Sequence, residues 1–150
     1  MKIELTDDVK RRLRAHLRRA GRREIGGVLM AEQIGVDNFR IIDFSVDDQT
    51  GGLAHFVRSP EYHQKALADF FARTGGDYAR FNYLGEWHSH PSFTVRPSGE
   101  DARSMMSLVR GDRGITFAAL VIVRLSYWLC LEYSITMFVG SQTTESNVLV

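Results

Sequence analysis

Two short segments carry residue types able to do chemistry: His88-Ser89-His90-Pro91, and, eight residues after its second histidine, Ser98-Gly99-Glu100-Asp101. Tyr83 to His90 reads as a strand that Pro91 breaks. Side chains alternate along a strand, so His88 and His90 project from one face, with Cα atoms roughly 6.5–7 Å apart. Imidazoles so placed can converge on one ion. Zinc takes imidazole nitrogen at about 2.0–2.1 Å, prefers four ligands, and in catalytic sites leaves the fourth place to water. Pro97-Ser98-Gly99-Glu100-Asp101 opens a helix, so Asp101 can return a carboxylate to the same point. Two histidines, one carboxylate and a water compose a hydrolytic zinc site.

Ser98 lies one helical turn before Asp101, so both can face that point. Its hydroxyl is placed to donate to a developing oxyanion. A general base is still needed to take a proton from water and hand it to a leaving amine. Glu24, at the mouth of an earlier strand, is the best candidate. Gly26 and Gly27 follow it and permit the close backbone approach that an extended substrate alongside would need. Plainer readings stand beside these. Ser98 and Asp101 are also what a helix cap and its third residue would be, and two histidines can simply end a strand. Glu86, on the histidine face, can hydrogen-bond a ligand imidazole, face water, or replace Asp101 as ligand. Phe93, Thr94 and Val95, between the ligands, either border a substrate groove or fill a surface gap. Trp87 alternates to the opposite face and belongs to the core. Cys130, in an apolar run, reads as a small buried hydrophobe; His16, His55 and His63 read as surface or packing residues.

The elements that must position these residues follow from periodicity and punctuation. Thr6 caps a helix over 7–20, with Asp7 and Asp8 in its first turn, Val9, Leu13, Leu17 and Ala20 along one stripe, and Gly21 at its end. Residues 24–31 and 39–46 read as a β-hairpin. A polar loop over 47–57 leads to Ser59-Pro60-Glu61, which opens a second helix to Arg73. The histidine strand and a third helix to Arg110 come next, the latter with Met105, Met106 and Leu108 as packing residues. Strands over 115–123 and 126–138 are joined by a tight turn at Arg124-Leu125. The order α-ββ-α-β-α-ββ argues an α+β domain over 1–139, a mixed sheet with helices packed on it. Residues 140–150 read as a flexible polar tail.

Composition narrows the class. The chain has 150 residues, 44% hydrophobic and 25% charged, which suits one globular domain and excludes collagen-like, low-complexity and wholly disordered chains. No apolar run approaches the 18 or so residues of a membrane span, and the first residues lack the apolar core of a secretory leader. A single cysteine excludes a disulfide framework and points to a reducing cytoplasm. The net charge of +1 hides a basic start: residues 1–23 hold nine Lys/Arg against three Asp/Glu. That run reads as a solvated helix face; without interleaved aromatics, nucleic-acid binding is the weaker reading.

Glu24-x-Gly26-Gly27, then His88-x-His90, seven residues, and Ser98-x-x-Asp101 resemble the JAMM motif of the JAB/MPN metallopeptidases, in the form of the prokaryotic JAB branch. No defining position departs from the pattern, and the resemblance extends over nearly the whole domain. It implies an MPN/JAB fold with cytidine-deaminase-like α-β-α layering, and one Zn2+ per chain on His88, His90 and Asp101. It also implies Glu24 as general acid and base, and Ser98 as oxyanion support. The implied reaction is hydrolysis after the C-terminal glycine of a ubiquitin or ubiquitin-like protein. This could serve deconjugation or precursor processing, including in antiphage conjugation systems of bacteria. The expected partner is a ubiquitin-like protein or its conjugate, whose tail would bind extended along a sheet edge; a partner protein or homodimer is compatible. The alternative is a non-catalytic ubiquitin-like-binding or scaffold MPN module.

Overall fold

Lys2-Ile3-Glu4-Leu5 alternates polar and apolar, and it forms a strand, β1 (Lys2–Leu5), ahead of the first helix. The expected order had no strand here. In the computed structural model, which describes residues 1–47, 60–140 and 142–149 (backbone alone at 60–62 and 142–149), nine further elements follow. They are α1 (Asp7–Ala20), β2 (Gly26–Gly35), β3 (Asn38–Phe44), α2 (Pro60–Arg73), β4 (Phe81–Ser89), α3 (Gly99–Arg110), β5 (Phe117–Ser126), β6 (Cys130–Val139) and β7 (Gln142–Leu149). His55, Ser59 and most of the expected loop over 47–57 lie outside the described residues.

One seven-stranded sheet runs β1-β3-β2-β4-β5-β6-β7. It is mixed: β1 pairs with β3 and β4 with β5 in parallel, and the remaining pairs are antiparallel. Crossing helices make the two parallel joins possible. Helix α1 lays Val9, Leu13, Leu17 and Ala20 on one face, against Leu29, Ala31, Ile41, Trp87, Val121 and Ile135. The opposite face carries α2, through Phe70 on Val28 and Met30, and α3, through Met105, Leu108 and Val109 on Ala118, Leu120 and Ile122. Strands covered on both faces read as continuous apolar runs, as Ala118 to Val123 does. The result is the α+β, helix-sheet-helix layering the sequence led us to expect.

Two boundaries differ from expectation. The β5–β6 turn falls at Tyr127-Trp128-Leu129, since Ser126 pairs with Cys130; Arg124 and Leu125 pair with Glu132 and Leu131 inside the ladder. Cys130 is consequently exposed at the hairpin's end, not buried. The polar stretch after Gly140, expected as a loose tail, holds β7 against β6 from Tyr133 to Val139. An outermost strand can satisfy its backbone on one side while its composition stays polar. Among the described residues no helix is long and apolar enough to cross a membrane.

Candidate metal centre

The two histidines stand at the carboxyl end of β4, the central strand. His88 lies between Gly26 of β2 and Ile122 of β5, and the His90 amide donates to the Val123 carbonyl at 2.9 Å. Between them Ser89 is fully buried and ties β4 to the start of β2: its amide donates to the Ile25 carbonyl (2.8 Å), and the Ile25 amide donates to its Oγ (3.0 Å). Backbone on both flanks therefore fixes where the imidazoles start.

Asp101 arrives from α3 through a capping box. The Asp101 amide donates to Ser98 Oγ (3.1 Å), and the Ser98 amide donates to Asp101 Oδ2 (2.7 Å). The capping reading of this pair is thus correct, and it also orients the carboxylate. Asp101 Oδ1 lies 3.3 Å from His88 Nε2, Oδ2 lies 3.7 Å from His90 Nε2, and the two Nε2 atoms are 3.0 Å apart. A tetrahedral ion with ligand bonds of about 2.0–2.1 Å sets ligand–ligand edges of about 3.3–3.4 Å. The Nε2–Nε2 distance and the distance from His88 Nε2 to Oδ1 lie near that value, and with one donor atom taken from each residue all three lie within 4.8 Å of one another. Among the described residues these three form the one cluster of metal-ligating side chains.

The donor chemistry also fits a cation. His90 Nδ1 lies 2.9 Å from the Thr94 carbonyl, an acceptor alone, so Nδ1 carries the proton and Nε2 presents its lone pair inward. A carboxylate faces the same point, and its own proton is held off it. Burial alone would raise the Asp101 carboxyl; the hydrogen bond and charge of His88, then the amide and hydroxyl of Ser98, outweigh burial and hold it at about 2. All three side chains are largely shielded, 11–18% exposed. A soft-edged, nitrogen-rich, anionic donor set with a missing fourth corner suits Zn2+ rather than Mg2+ or Ca2+.

The other candidate residues are placed as follows. Glu24 is half-buried two residues before Gly26. Extending the β2–β4 register from Gly26–His88 sets it opposite His90, on the imidazole face. The Ser98 hydroxyl oxygen accepts in the capping box, and its proton faces the Asp101 carboxylate it helps to keep ionised. Glu86 is buried between Val28 and Leu120, which rules out its facing water, and it is not part of the ligand cluster. Phe93 is 63% exposed, edge-on to the His90 ring at 6.3 Å. Trp87 is buried in the opposite face, its Nε1 donating to the Ser45 carbonyl at 2.8 Å.

Gly26 and Gly27 behave differently from expectation. A Cβ on Gly27 would stand 2.0 Å from the Ser45 carbonyl oxygen, so its close approach is made to the protein's own chain. Gly26 is bridged to Asp47 on that flank, and the free edges of the described sheet are β1 and β7. The flank of β2 beside these glycines is therefore occupied, and a substrate tail cannot pair there as an added strand.

Residues the sequence did not mark complete the site. Ser45 Oγ accepts from the Val28 amide (2.9 Å) and meets buried His63 of α2 at 3.0 Å from Nδ1, which steadies the start of β2. Arg124 donates from Nη1 to the Phe93 carbonyl (3.0 Å), tying the β5–β6 hairpin to the loop between the ligands. Thr94, which the sequence offered as a groove residue, acts on His90 through its carbonyl instead, and Val95 beside it is buried in the α3 layer.

Comparison with known proteins agrees with the fold. Relatives named "CD-NTase/cGAS isopeptidase" occur in Vibrio cholerae serotype O1 (29% identity) and in Escherichia coli strain TW11681 (30%), each over 109 residues and 71% of this chain. The chain spans 65% of the length of those relatives. A solution structure of a protein from Desulfitobacterium hafniense superposes with a TM-score of 0.69 at 22% identity, covering 99% of this chain and 91% of that one. One from Salinibacter ruber does so at 0.51 and 18%, covering 87% and 80%. These likenesses bear on the fold. The family model described as prokaryotic homologs of the JAB domain matches residues 6–137, which take in β2 to β5, most of β6 and all three helices, and the chain belongs to that family.

Proposed function

We propose that this protein is a zinc-dependent isopeptidase that hydrolyses the bond after the C-terminal glycine of a ubiquitin-like protein within a bacterial conjugation system. The observation that carries the proposal is the convergence of His88, His90 and Asp101, whose donor atoms lie within 4.8 Å of one another; Glu24, two residues before the Gly26–His88 pair, is the base nearest to hand in the sequence. The names of the two relatives support the isopeptide bond as target. Zinc held there supplies Lewis acidity toward a carbonyl and water of lowered pKa. The chain's own residues do the rest. Glu24 takes a proton from the attacking water and returns it to the departing amine as the carbon–nitrogen bond breaks. The Ser98 hydroxyl donates to the oxygen on which negative charge develops. Thr94 and the capping box keep His90 and Asp101 from turning away.

Elemental analysis and a cleavage assay on ubiquitin-like fusions and conjugates test this together. Wild type is expected to hold about one zinc per chain and His88→Ala none. Glu24→Gln should keep its zinc and lose cleavage by at least two orders of magnitude. A zinc-loaded Glu24→Gln protein cleaving at the wild-type rate would remove Glu24 as the base. A wild type that takes up no zinc would remove the enzyme and leave the binding-module reading.

A further inference from the structure

The segment from His90 to Phe93 is fastened to the end of β5 twice. The His90 amide donates to the Val123 carbonyl at 2.9 Å, and Arg124, the next residue of β5, donates from Nη1 to the Phe93 carbonyl at 3.0 Å. The Phe93 amide closes the turn on the His90 carbonyl (3.4 Å). Thr94 follows, its carbonyl 2.9 Å from His90 Nδ1. Val95, next along, is buried with Ile122 and Met105 in the layer between α3 and the sheet. The Thr94 carbonyl therefore sits between two fixed neighbours: Phe93, held through Arg124, and Val95, held by burial.

Arg124 is itself held. It pairs across the β5–β6 ladder with Glu132, and its Nε donates to Glu132 Oε2. The hydrogen bond from Arg124 is the largest influence on the Glu132 carboxyl; with a further one from Ser126 it outweighs desolvation and keeps that carboxyl below its ordinary range, so the pair stays charged at neutral pH. The two side chains are 32% and 25% exposed. An ion pair this open to solvent adds little to stability. What it supplies is direction. A guanidinium is a planar fork whose donors point in fixed directions. With Nε on the carboxylate, Nη1 is aimed at one place, and the Phe93 carbonyl occupies it.

We propose that Arg124, aimed by Glu132, is a positioning residue that sets the tautomer of His90. This deepens the zinc reading above and rests on it for its consequence, though not for its geometry. A neutral imidazole carries one proton, and the bond made by one ring nitrogen decides the role of the other. With the Thr94 carbonyl fixed, the proton stays on Nδ1 and the Nε2 lone pair faces His88 and Asp101. With that carbonyl free to turn, the proton can settle on Nε2, and the ring no longer offers a cation a lone pair at that atom. Arg124 thus acts on the ligand through two consecutive carbonyls of the loop, that of Phe93 and that of Thr94.

Two readouts on the full chain test this, and neither depends on cleavage. Zinc affinity is measured by competition with a chromophoric chelator. The His90 tautomer is read in the metal-free protein from the NMR shifts of its two ring nitrogens. Wild type should show Nδ1 protonated. Arg124→Gln should bind zinc about tenfold more weakly, the lower end of what loss of an outer partner costs a metal site, and its His90 should divide between both tautomers. Arg124→Lys should lose nearly as much, since a single ammonium lacks the fork that meets Glu132 and the Phe93 carbonyl together; it carries the test should Arg124→Gln fail to fold. Glu132→Ala should lose part of the affinity, and Glu132→Gln, whose amide oxygen still accepts from Nε, should restore it. Wild-type zinc affinity and a single tautomer in Arg124→Gln, with only a lower Tm, would make the pair a fastening of the β5–β6 ladder and overturn the proposal. A wild type whose His90 carries its proton on Nε2 would overturn it as well. A wild type that takes up no zinc, yet loses its fixed Nδ1 proton in Arg124→Gln, would keep the positioning role and overturn the zinc reading instead.

Discussion

Replacing Ser98 separates two duties that share one oxygen. In the capping box Ser98 Oγ accepts from the Asp101 amide at 3.1 Å, while the return bond, Ser98 amide to Asp101 Oδ2 at 2.7 Å, uses backbone and survives any side-chain change. Ser98→Ala therefore removes one cap bond at an exposed helix start, costing about 1 kcal/mol. For a domain of this size that lowers Tm by roughly 2–4 °C. The carboxylate keeps its backbone anchor and its proximity to His88, so zinc content should stay near that of wild type. The hydroxyl proton is lost as well, and loss of one oxyanion donor costs about 10²–10³ in kcat. Ser98→Gly sharpens the test, because glycine at this position costs only a few tenths of a kcal/mol. Both variants should lose kcat alike, with KM little changed, while differing in Tm. The assay is a melting curve, elemental analysis and steady-state cleavage on the same preparations. A Ser98→Ala enzyme with wild-type kcat and a lowered Tm would refute the oxyanion role and leave Ser98 a cap alone. Loss of zinc in Ser98→Gly would refute the argument that the backbone bond suffices to orient Asp101.

Other predictions concern the scaffold. Asp43 accepts from Arg12 (2.9 Å), the Phe44 amide (2.9 Å) and Arg73 (2.5 Å), with 18% of its side chain exposed. Burial pulls its carboxyl upward, but these donors outweigh it and set it below the ordinary carboxylate range. Its contribution is therefore present above about pH 3.9 and lost as pH falls through the lower folded value. Asp43→Asn should cost about 1–3 kcal/mol at pH 7 and flatten the acid limb of a stability–pH curve; an unchanged limb would show that Asp43 is not its source. Gly27→Ala should cost about 3 kcal/mol, since the new Cβ meets backbone at 2.0 Å, whereas Gly35→Ala, meeting only Asn38 Cβ at 3.7 Å, should be near neutral. Urea titrations of the two variants check the contrast.

Local rules of spacing made most of the site legible. His88 and His90 share a face because strands have period two, and Ser98 and Asp101 share a turn because capping boxes have a fixed interval. Both are properties of chain geometry that survive folding. Roles played through backbone escaped, such as that of the Thr94 carbonyl on His90, because a carbonyl or amide belongs to every residue. Gly27 was legible as a close approach but not as to what, since the answer, Ser45, comes from register between β2 and β3. The turn at Tyr127-Trp128-Leu129 was misplaced because its residues lack turn chemistry, and Cys130 followed it outward. β1 was missed because a four-residue edge strand carries a short apolar signal, and β7 because its sequence is polar until Val148.

The three proposed metal ligands span only 13 positions, from His88 to Asp101, whereas Glu24, the proposed base, is 64 positions from His88. Closing the longer loop costs about 1.4 kcal/mol more in chain entropy, and it also demands that β2 and β4 be correctly paired. A fragment or folding intermediate holding β4 and α3 alone could therefore capture zinc. Metal content reports on a local hairpin of strand and helix, while hydrolysis reports on the whole sheet. A preparation full of zinc yet inert is thus the expected signature of a misregistered β2, and the two assays together become a probe of folding order.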